Sequence, residues 1–323
     1  MEQFGYAGAG PEIEHLMRSA KAGRIVHAYL LAGARGCGKR TLANALAQAL
    51  VCGAEEELRP CGVCPSCKRF LSGNHPDVRV VSPKGRSIGV EEVRALTHYL
   101  SRRPYEGGRH IAMIHSADKL TASAQNALLK TLESPPEDTV FFLLTDAPAA
   151  LLPTVRSRLR LVRVAPLSGE ACARALVEHG VEPQQSGRLA ALAHGSVGRA
   201  LEIWKDDGFE PLLAQVLASL SSLQGAASVA GAVAPLCDAR ERQEDILQIM
   251  ETVGRDCMAA QNGATPAALT RAEIAPLRIS GRALLLGVAN MRRMLSANVA
   301  WQNALDATYF SLIKEREETK WRQ

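Results

Sequence analysis

A set of four closely spaced cysteines is the strongest chemical signal in this sequence. The cysteines follow the pattern Cys52-x8-Cys61-x2-Cys64-x2-Cys67. Four thiolates at these spacings suit a tetrahedral zinc ion, with Zn–S bonds of about 2.3 Å. Scattered buried thiols are the alternative, but three cysteines within seven residues argue against it. Because four sulfurs leave no coordination position open, we predict a structural zinc site. The ion would hold residues 52–67 in a fixed fold, since this segment is too short to bury a core of its own.

A glycine-rich loop is the second feature with clear chemistry. Gly33, Gly36, Gly38 and Lys39 lie in the sequence GARGCGK, which fits the pattern G-x-x-x-x-G-K. The loop follows the apolar run of residues 28–32 and opens a helical pattern with a leucine at every fourth position. In such loops the backbone N–H groups hold phosphate and the lysine reaches its outer oxygens. The order of strand, loop and helix therefore predicts a phosphate-binding scaffold.

Two positions that a working ATPase needs carry unsuitable side chains. Arg40 stands where Ser or Thr would hold Mg²⁺, and Thr41 is rotated by about 100° around the helix. A later apolar strand should end in carboxylates that hold Mg²⁺ and polarise water, but it is followed by His115 and Ser116. Asp118 lies further along, and we expect it to cap a helix. We therefore expect no intrinsic ATPase activity, while binding of ATP, ADP or another anion by the loop stays open.

Apolar segments alternate with helical patterns through the first half of the chain. The predicted strands cover residues 28–32, 77–81, 109–114, 139–144 and 159–164. Strands that alternate with helices predict an α/β fold with a five-stranded parallel, doubly wound sheet. Right-handed crossovers then place the loops after the strands along one edge of the sheet. Beyond residue 166 the patterns are helical, and from about residue 209 they are rich in Ala and Leu.

Composition limits the possible classes of protein. The chain has 323 residues, 47% hydrophobic and 22% charged, which predicts two or three globular domains. A net charge of +5 and an aromatic content of 4% argue against a dedicated nucleic-acid binder that stacks bases. A zinc-dependent DNA-binding module is further disfavoured because only Lys68 and Arg69 flank the cysteines closely. No apolar stretch is long enough to cross a membrane and no secretory signal is visible, so we expect a cytoplasmic location.

Several motifs occur together in the first 200 residues. They are the lead into the loop at residues 27–31, the four-cysteine module, NALLKTLE at residues 126–133 and LPTVRSR at residues 152–158. In this combination the chain resembles the delta-prime subunits of bacterial DNA polymerase III clamp loaders, a branch of the AAA+ superfamily. The gamma/tau ATPase subunits share the cysteine module and LLKTLE. They are expected to carry a Lys-Thr or Lys-Ser loop ending and an acidic strand end, which this sequence lacks.

The resemblance assigns roles to further residues. Arg158, preceded by Ser157, matches an arginine finger that reaches ATP held by a neighbouring subunit, although Leu159 replaces the usual cysteine. Such a finger is worth about 10³–10⁵ in rate. Thr145 occupies the sensor-1 position, and with an inactive site we expect it to form a strand-end hydrogen bond. Gly198 stands where an active subunit is expected to carry a sensor arginine.

The alternative is that Arg158 is only one of several arginines on a solvated or ion-paired basic surface. Arg156, Arg160 and Arg163 lie close by in the sequence. We interpret Arg160 and Arg163 as members of such a surface and Arg158 as the finger, because a guanidinium offers paired donors to phosphate oxygens.

The resemblance also implies an architecture and partners. It predicts a AAA+ core with the zinc module over residues 1–166, a small helical lid over residues 167–207 and an all-α collar over residues 208–323. The chain would be a non-hydrolysing stator in a pentameric ring with gamma/tau and delta subunits. Through this ring it would help to load the sliding clamp on primer–template DNA. An active gamma-type ATPase is the alternative function.

Overall fold

The computed structural model describes the backbone of residues 10–106 and 108–320 and separates into two compact units. The first unit comprises Met1–Ala171 and Ser196–Gly198, and the second comprises Cys172–Gly195 and Arg199–Gln323. The ends of the predicted first and third domains, residues 1–9 and 321–323, lie outside the described residues. The division into a core, a separate lid and a collar stays a prediction.

A parallel sheet forms the centre of the first unit. Its strands are β1 (Ala28–Ala32), β2 (Val78–Val81), β3 (His110–Ile114), β4 (Thr139–Thr145) and β5 (Arg160–Arg163). The five strands are ordered β2-β3-β4-β1-β5, and every neighbouring pair is parallel. The predicted α/β class with a five-stranded parallel sheet is thus confirmed. β2, β3 and β5 begin one residue later than predicted, and β5 also ends one residue earlier.

Helices cover both faces of the sheet. They are α1 (Pro11–Lys21), α2 (Lys39–Val51), α3 (Pro65–Leu71), α4 (Val90–Leu100), α5 (Ala122–Glu133) and α6 (Pro153–Arg156). Alternate residues of each strand face opposite sides. Tyr29 and Leu31 therefore join the cluster formed with α1 and α2, while Leu30 joins the cluster formed with α4 and α5. The strands β1, β3 and β4 are buried along their whole length because both of their faces are covered.

The second unit is built from helices. These are α7 (Gly169–Glu178), α8 (Pro183–Leu192), α9 (Val197–Trp204), α10 (Phe209–Ser221), α11 (Val229–Asp238), α12 (Gln243–Gln261), α13 (Arg271–Ile274), α14 (Gly281–Ser296) and α15 (Trp301–Lys320). The first residues of α7 and α9 belong to the first unit. Helices α12 and α14 approach closely, since a Cβ atom at Gly281 would lie 2.4 Å from the carbonyl oxygen of Gly254. This close approach fixes glycine at position 281. None of the described helices is long and apolar enough to span a lipid bilayer.

A half-buried histidine makes the stability of the second unit depend on pH. The Nε2 atom of His194 lies 2.9 Å from the hydroxyl of Thr252. Burial, assisted by the charge of Arg255, lowers the pKa of His194 from 6.5 to about 4. Since the unfolded chain takes up this proton more readily, the contribution of His194 to the free energy of unfolding is largest above pH 6.5. It should fall by on the order of 2 kcal/mol as the pH drops to 4.

Urea unfolding at a series of pH values checks this expectation. The matched variant is His194→Asn, because asparagine tolerates the positive φ of 52° at this position. We expect the variant to lose less stability between pH 6.5 and pH 4 than the wild type. Equal losses in both proteins would rule His194 out as the source.

Candidate functional site

The glycine-rich loop lies between β1 and α2, at the carboxyl edge of the sheet. The backbone N–H of Gly33 donates to the carbonyl oxygen of Thr145 at 3.1 Å, which fixes the loop to the end of β4. A Cβ atom at Gly33 would lie 2.2 Å from the carbonyl oxygen of Val164, so only glycine fits there. Gly36 and Gly38 have φ angles of 73° and 94°, a region that glycine adopts at little cost. The loop therefore has the form of a phosphate loop.

The lysine of this loop is bound to the loop itself. The ammonium group of Lys39 donates to the carbonyl oxygens of Gly33 at 2.7 Å and of Ala34 at 2.8 Å. The buried thiol of Cys37 lies 4.0 Å from the same ammonium group. Burial raises the pKa of Cys37, and the charge of Lys39 opposes this only in part. The positive charge of Lys39 is thus already engaged by acceptors of its own loop.

A distant segment of the first unit, Ser196–Gly198, covers the loop. The hydroxyl of Ser196 donates to the carbonyl oxygen of Arg35 at 3.0 Å. The backbone N–H of Gly198 donates to the carbonyl oxygen of Gly36 at 3.2 Å. A Cβ atom at Gly198 would lie 3.2 Å from Gly36, closer than most Cβ contacts. The position where the resemblance expects a sensor arginine is therefore in direct contact with the loop backbone.

The metal side of the loop carries positive and neutral groups. Arg40 is exposed and Thr41 is half-buried at the start of α2. Burial lowers the pKa of His115, at the end of β3, and the charge of Arg40 lowers it further. His115 is therefore neutral at pH 7, and its Nδ1 atom lies 3.3 Å from the hydroxyl of Ser82. No carboxylate follows the strand directly, since the next residue is Ser116.

Thr145 and Asp118 are bonded to one another beside this loop. The Thr145 hydroxyl donates to an Asp118 carboxylate oxygen at 3.0 Å and accepts from the backbone N–H of Ala147 at 3.0 Å. The expectation that Asp118 caps a helix is wrong. It lies within the short 3₁₀ turn Ala117–Lys119, and its carboxylate is held by a side chain 27 residues away. Thr145 forms the strand-end hydrogen bond that the sequence suggested.

Arg158 lies at the opposite edge of the sheet from the loop, because it precedes β5 whereas the loop follows β1. Its guanidinium forms an ion pair with Glu133 and donates to the carbonyl oxygen of Thr154 at 2.6 Å and to the Ser157 hydroxyl at 3.3 Å. The Ser157 hydroxyl itself donates to the same Thr154 carbonyl at 3.0 Å. The Arg158 side chain is 33% exposed. It therefore belongs to the protein surface rather than to the chain's own loop site.

The four clustered cysteines come together at one point. The sulfurs of Cys52, Cys61, Cys64 and Cys67 all lie within 4.8 Å of one another, and Cys52 Sγ lies 3.6 Å from Cys61 Sγ and 3.9 Å from Cys64 Sγ. The backbone N–H groups of Cys61, Cys64 and Cys67 each donate to a sulfur of the cluster at 3.3–3.4 Å. Four converging sulfurs held in this way fit a tetrahedral metal ion.

The thiols of the cluster differ in acidity. Hydrogen bonds from the backbone N–H groups of Cys64 and Val63 lower the pKa of Cys61 to about 6. Burial raises the pKa of Cys64, but hydrogen bonds from backbone N–H groups outweigh it and the pKa is lowered. Burial raises the pKa of Cys67 to about 12. A bound cation would favour the thiolate form of all the sulfurs.

A polar network that the sequence analysis did not single out connects this module to the sheet. Ser66 Oγ lies 2.8 Å from Nε2 of His75, and Nδ1 of His75 accepts from the backbone N–H of Asp77 at 3.1 Å. The buried carboxylate of Asp77 accepts from the backbone N–H groups of Tyr105 at 2.6 Å and Glu106 at 3.0 Å. Because Nδ1 is an acceptor, Nε2 carries the proton and donates to the serine. This pair therefore fixes geometry and does not activate a nucleophile.

Comparisons with known proteins find similarity to subunits of DNA polymerase III. Residues 9–168 match the family described as "DNA polymerase III, delta subunit". A DNA polymerase III subunit delta' from Bacillus subtilis is 38% identical over 202 residues, which cover 62% of this chain and 61% of the relative. The chain thus spans about three fifths of the length of that relative. A gamma/tau subunit from Mycobacterium bovis is 39% identical over 138 residues, covering 42% of this chain and 24% of that protein.

A solved structure has a similar fold. It is the crystal structure of a DNA polymerase III gamma subunit-related protein from Thermotoga maritima, with a TM-score of 0.53 at 17% sequence identity. The likeness covers 93% of this chain and 99% of that chain. At this identity it concerns the fold alone.

Proposed function

We propose that this chain serves as the non-hydrolysing delta-prime subunit of a bacterial clamp loader, because residues 9–168 match the family described as "DNA polymerase III, delta subunit" and a subunit delta' is 38% identical over 202 residues. In this role it joins gamma/tau and delta subunits in a pentameric ring in the cytoplasm. The ring loads the sliding clamp on primer–template DNA. The chain contributes a rigid scaffold and one arginine to this work.

The main support for a non-hydrolysing role is the state of the phosphate loop. The ammonium group of Lys39, which would reach the outer phosphate oxygens of a nucleotide, instead donates to the carbonyl oxygens of Gly33 and Ala34. Phosphoryl transfer also needs a hydroxyl and a carboxylate for Mg²⁺. Arg40 and His115 stand at the corresponding positions. The cationic side chain of Arg40 repels Mg²⁺, and the imidazole of His115 offers nitrogen where Mg²⁺ prefers oxygen ligands, so both positions disfavour the metal ion that hydrolysis requires.

The proposed contribution in trans comes from Arg158. A guanidinium stays charged at all physiological pH values and offers planar, paired donors to phosphate oxygens. Its ion pair with Glu133 is partly exposed, and such pairs contribute only about 0–1 kcal/mol. Leaving Glu133 for a nucleotide phosphate of the neighbouring subunit is therefore energetically accessible. Ser157 positions the same guanidinium through its hydroxyl.

We assign zinc to the cysteine cluster. The ligands would be the four sulfurs of Cys52, Cys61, Cys64 and Cys67. When bound, the ion supplies folding free energy to a segment with few buried apolar side chains, and it leaves no coordination position for substrate.

An active gamma-type ATPase is the competing function, and the identity to a gamma/tau subunit over 138 residues favours it. The two functions differ in one measurement. We expect the purified full chain to release no phosphate from ATP and Mg²⁺ above background, and Lys39→Ala to leave that background unchanged. Turnover of about 1 s⁻¹ or more that Lys39→Ala abolishes would identify an active ATPase.

Assembly provides the positive test of the same proposal. The full chain, mixed with gamma/tau and delta subunits of the same organism, should yield one ring complex by native mass spectrometry. It should restore clamp loading that the other subunits perform poorly without it. A chain that joins no such complex would remove the clamp-loader role.

A further inference from the structure

A basic groove lies beside the edge strand β5, next to Arg158. It has a volume of about 500 Å³. Its polar lining consists of Arg156, Ser157 and Arg163, and its apolar lining includes Pro148, Pro153 and Leu161. The lining contains no carboxylate, so the groove carries two positive charges against an apolar wall.

The charges of this groove are not neutralised within the described part of the chain. Arg158 is paired with Glu133, but neither Arg156 nor Arg163 forms an ion pair with a described residue. Both side chains are exposed, and each carries a guanidinium cation. Arg160, on the opposite face of β5, has no ion-pair partner among the described residues either. A concave site lined by one sign of charge attracts groups of the opposite sign.

The backbone of β5 adds a second property. As the outer strand of the sheet, β5 pairs with β1 on one side only within the described residues. The free side of an edge strand can accept an extended polypeptide as a further strand. Side chains of such a segment would alternate between the face of Leu161 and Arg163 and the face of Arg160. Acidic side chains on both faces would then meet arginines.

From these features we infer that the groove and the free edge of β5 bind an extended acidic segment of the neighbouring subunit, the one whose nucleotide Arg158 reaches. This inference rests on the proposed function, because it takes that neighbour as the partner. A polypeptide fits better than DNA for two reasons. The unpaired backbone groups of β5 match those of another chain, and the groove offers two prolines and two leucines rather than aromatic rings that stack on bases.

The test compares three forms of the full chain. These are the wild type, the double variant Arg156→Gln with Arg163→Gln, and the control Arg86→Gln with Arg103→Gln. Arg86 and Arg103 are exposed, form no ion pair with a described residue and lie in the same unit, so the control loses the same charge. Each fluorescently labelled chain is titrated with the gamma/tau subunit of the same organism at low and moderate salt. ATP turnover of the complete complex is measured at saturating concentrations.

We expect the groove variant to bind gamma/tau at least 10-fold more weakly at low salt, with a smaller difference at moderate salt because ions screen the attraction. Its turnover at saturation should stay within about twofold of the wild type, since Arg158 is intact. The control should bind like the wild type. Hydrogen exchange of residues 160–163 should slow in the wild-type complex, as the edge strand gains a partner.

Other outcomes overturn the inference. Equal affinities of the groove variant and the wild type, or an equal loss in the control, would mean that the groove holds no acidic segment. Normal assembly with lost DNA affinity would assign the groove to nucleic acid. Concentration-dependent self-association of the groove variant, with normal gamma/tau binding, would mean that the arginines only protect an edge strand. A wild-type chain that does not bind gamma/tau would end the proposed function and this inference with it.

Discussion

Replacing Arg158 by alanine is expected to lower ATP turnover at the neighbouring nucleotide site by about 10³-fold or more, without preventing assembly. The guanidinium of Arg158 is the group of this chain that is proposed to touch the reacting atoms, so alanine removes its paired planar donors from the transition state. Turnover of the whole complex should fall by the share that this site contributes. Steady-state ATPase assays in the presence of clamp and primed DNA measure the effect.

Three further variants sharpen this test. Arg158→Lys keeps the charge but not the planar pair of donors, so it should recover only a small part of the activity. Glu133→Gln removes the ion-pair partner of Arg158, so turnover should equal or exceed that of the wild type. Arg103→Ala removes an exposed arginine elsewhere and should change nothing. Unchanged turnover with Arg158→Ala would remove the finger role, even if the chain assembles normally.

Removal of the zinc ion that we propose for the cysteine cluster is expected to unfold the cysteine module while the sheet remains folded. Leu58 and Val63 of this module are exposed by 64% and 72%, and Leu71 at the end of the adjoining helix α3 is exposed by 65%, so apolar burial contributes little to the stability of this region. Structural zinc contributes about 10–16 kcal/mol of binding free energy in small zinc domains. Chelation should therefore accelerate hydrogen exchange strongly in residues 52–73 and leave β1, β3 and β4 protected.

Single substitutions test metal binding by the cysteine cluster without a chelator. Cys64→Ser should lose the one equivalent of zinc that elemental analysis of the wild type is expected to find. Cys237→Ser is the matched control, because Cys237 is half-buried and lies outside the cluster. It should retain the metal. Residues 52–73 that keep their protection in the metal-free protein would mean that the module folds without an ion.

Much of the fold follows from local patterns in the sequence. Short apolar runs, each followed by a helical pattern, predicted all five strands and their parallel arrangement. Strands that are covered by helices on both faces have nearly continuous apolar sequences, and this pattern is easy to recognise. The cysteine cluster followed from spacing alone, since two short links leave the sulfurs little freedom to separate. The resemblance to delta-prime subunits, inferred from short motifs, is confirmed over residues 9–168.

Such local patterns did not predict the contacts between polar groups that lie far apart in the sequence. Ser196 binds the loop across 161 residues, and nothing in the sequence around it indicates that partner. Asp118 was expected to cap a helix because aspartate near a helix start commonly does so, but the hydroxyl of Thr145 competes for its carboxylate in the folded chain. The Asp77 carboxylate, which holds the loop at Tyr105 and Glu106, was likewise not recognised, because a single acidic residue before a strand has no specific sequence signature.

The three residues that cover the glycine-rich loop affect how the protein can be divided for study. Ser196–Gly198 belong to the first unit, although residues 172–195 before them and residues 199–323 after them belong to the second. A fragment that stops at Ala171 would therefore lack its own cover and leave the carbonyl groups of Arg35 and Gly36 open to solvent. A nucleotide affinity measured on that fragment would therefore not apply to the whole chain. Titrations that are meant to characterise the whole chain require the full-length polypeptide.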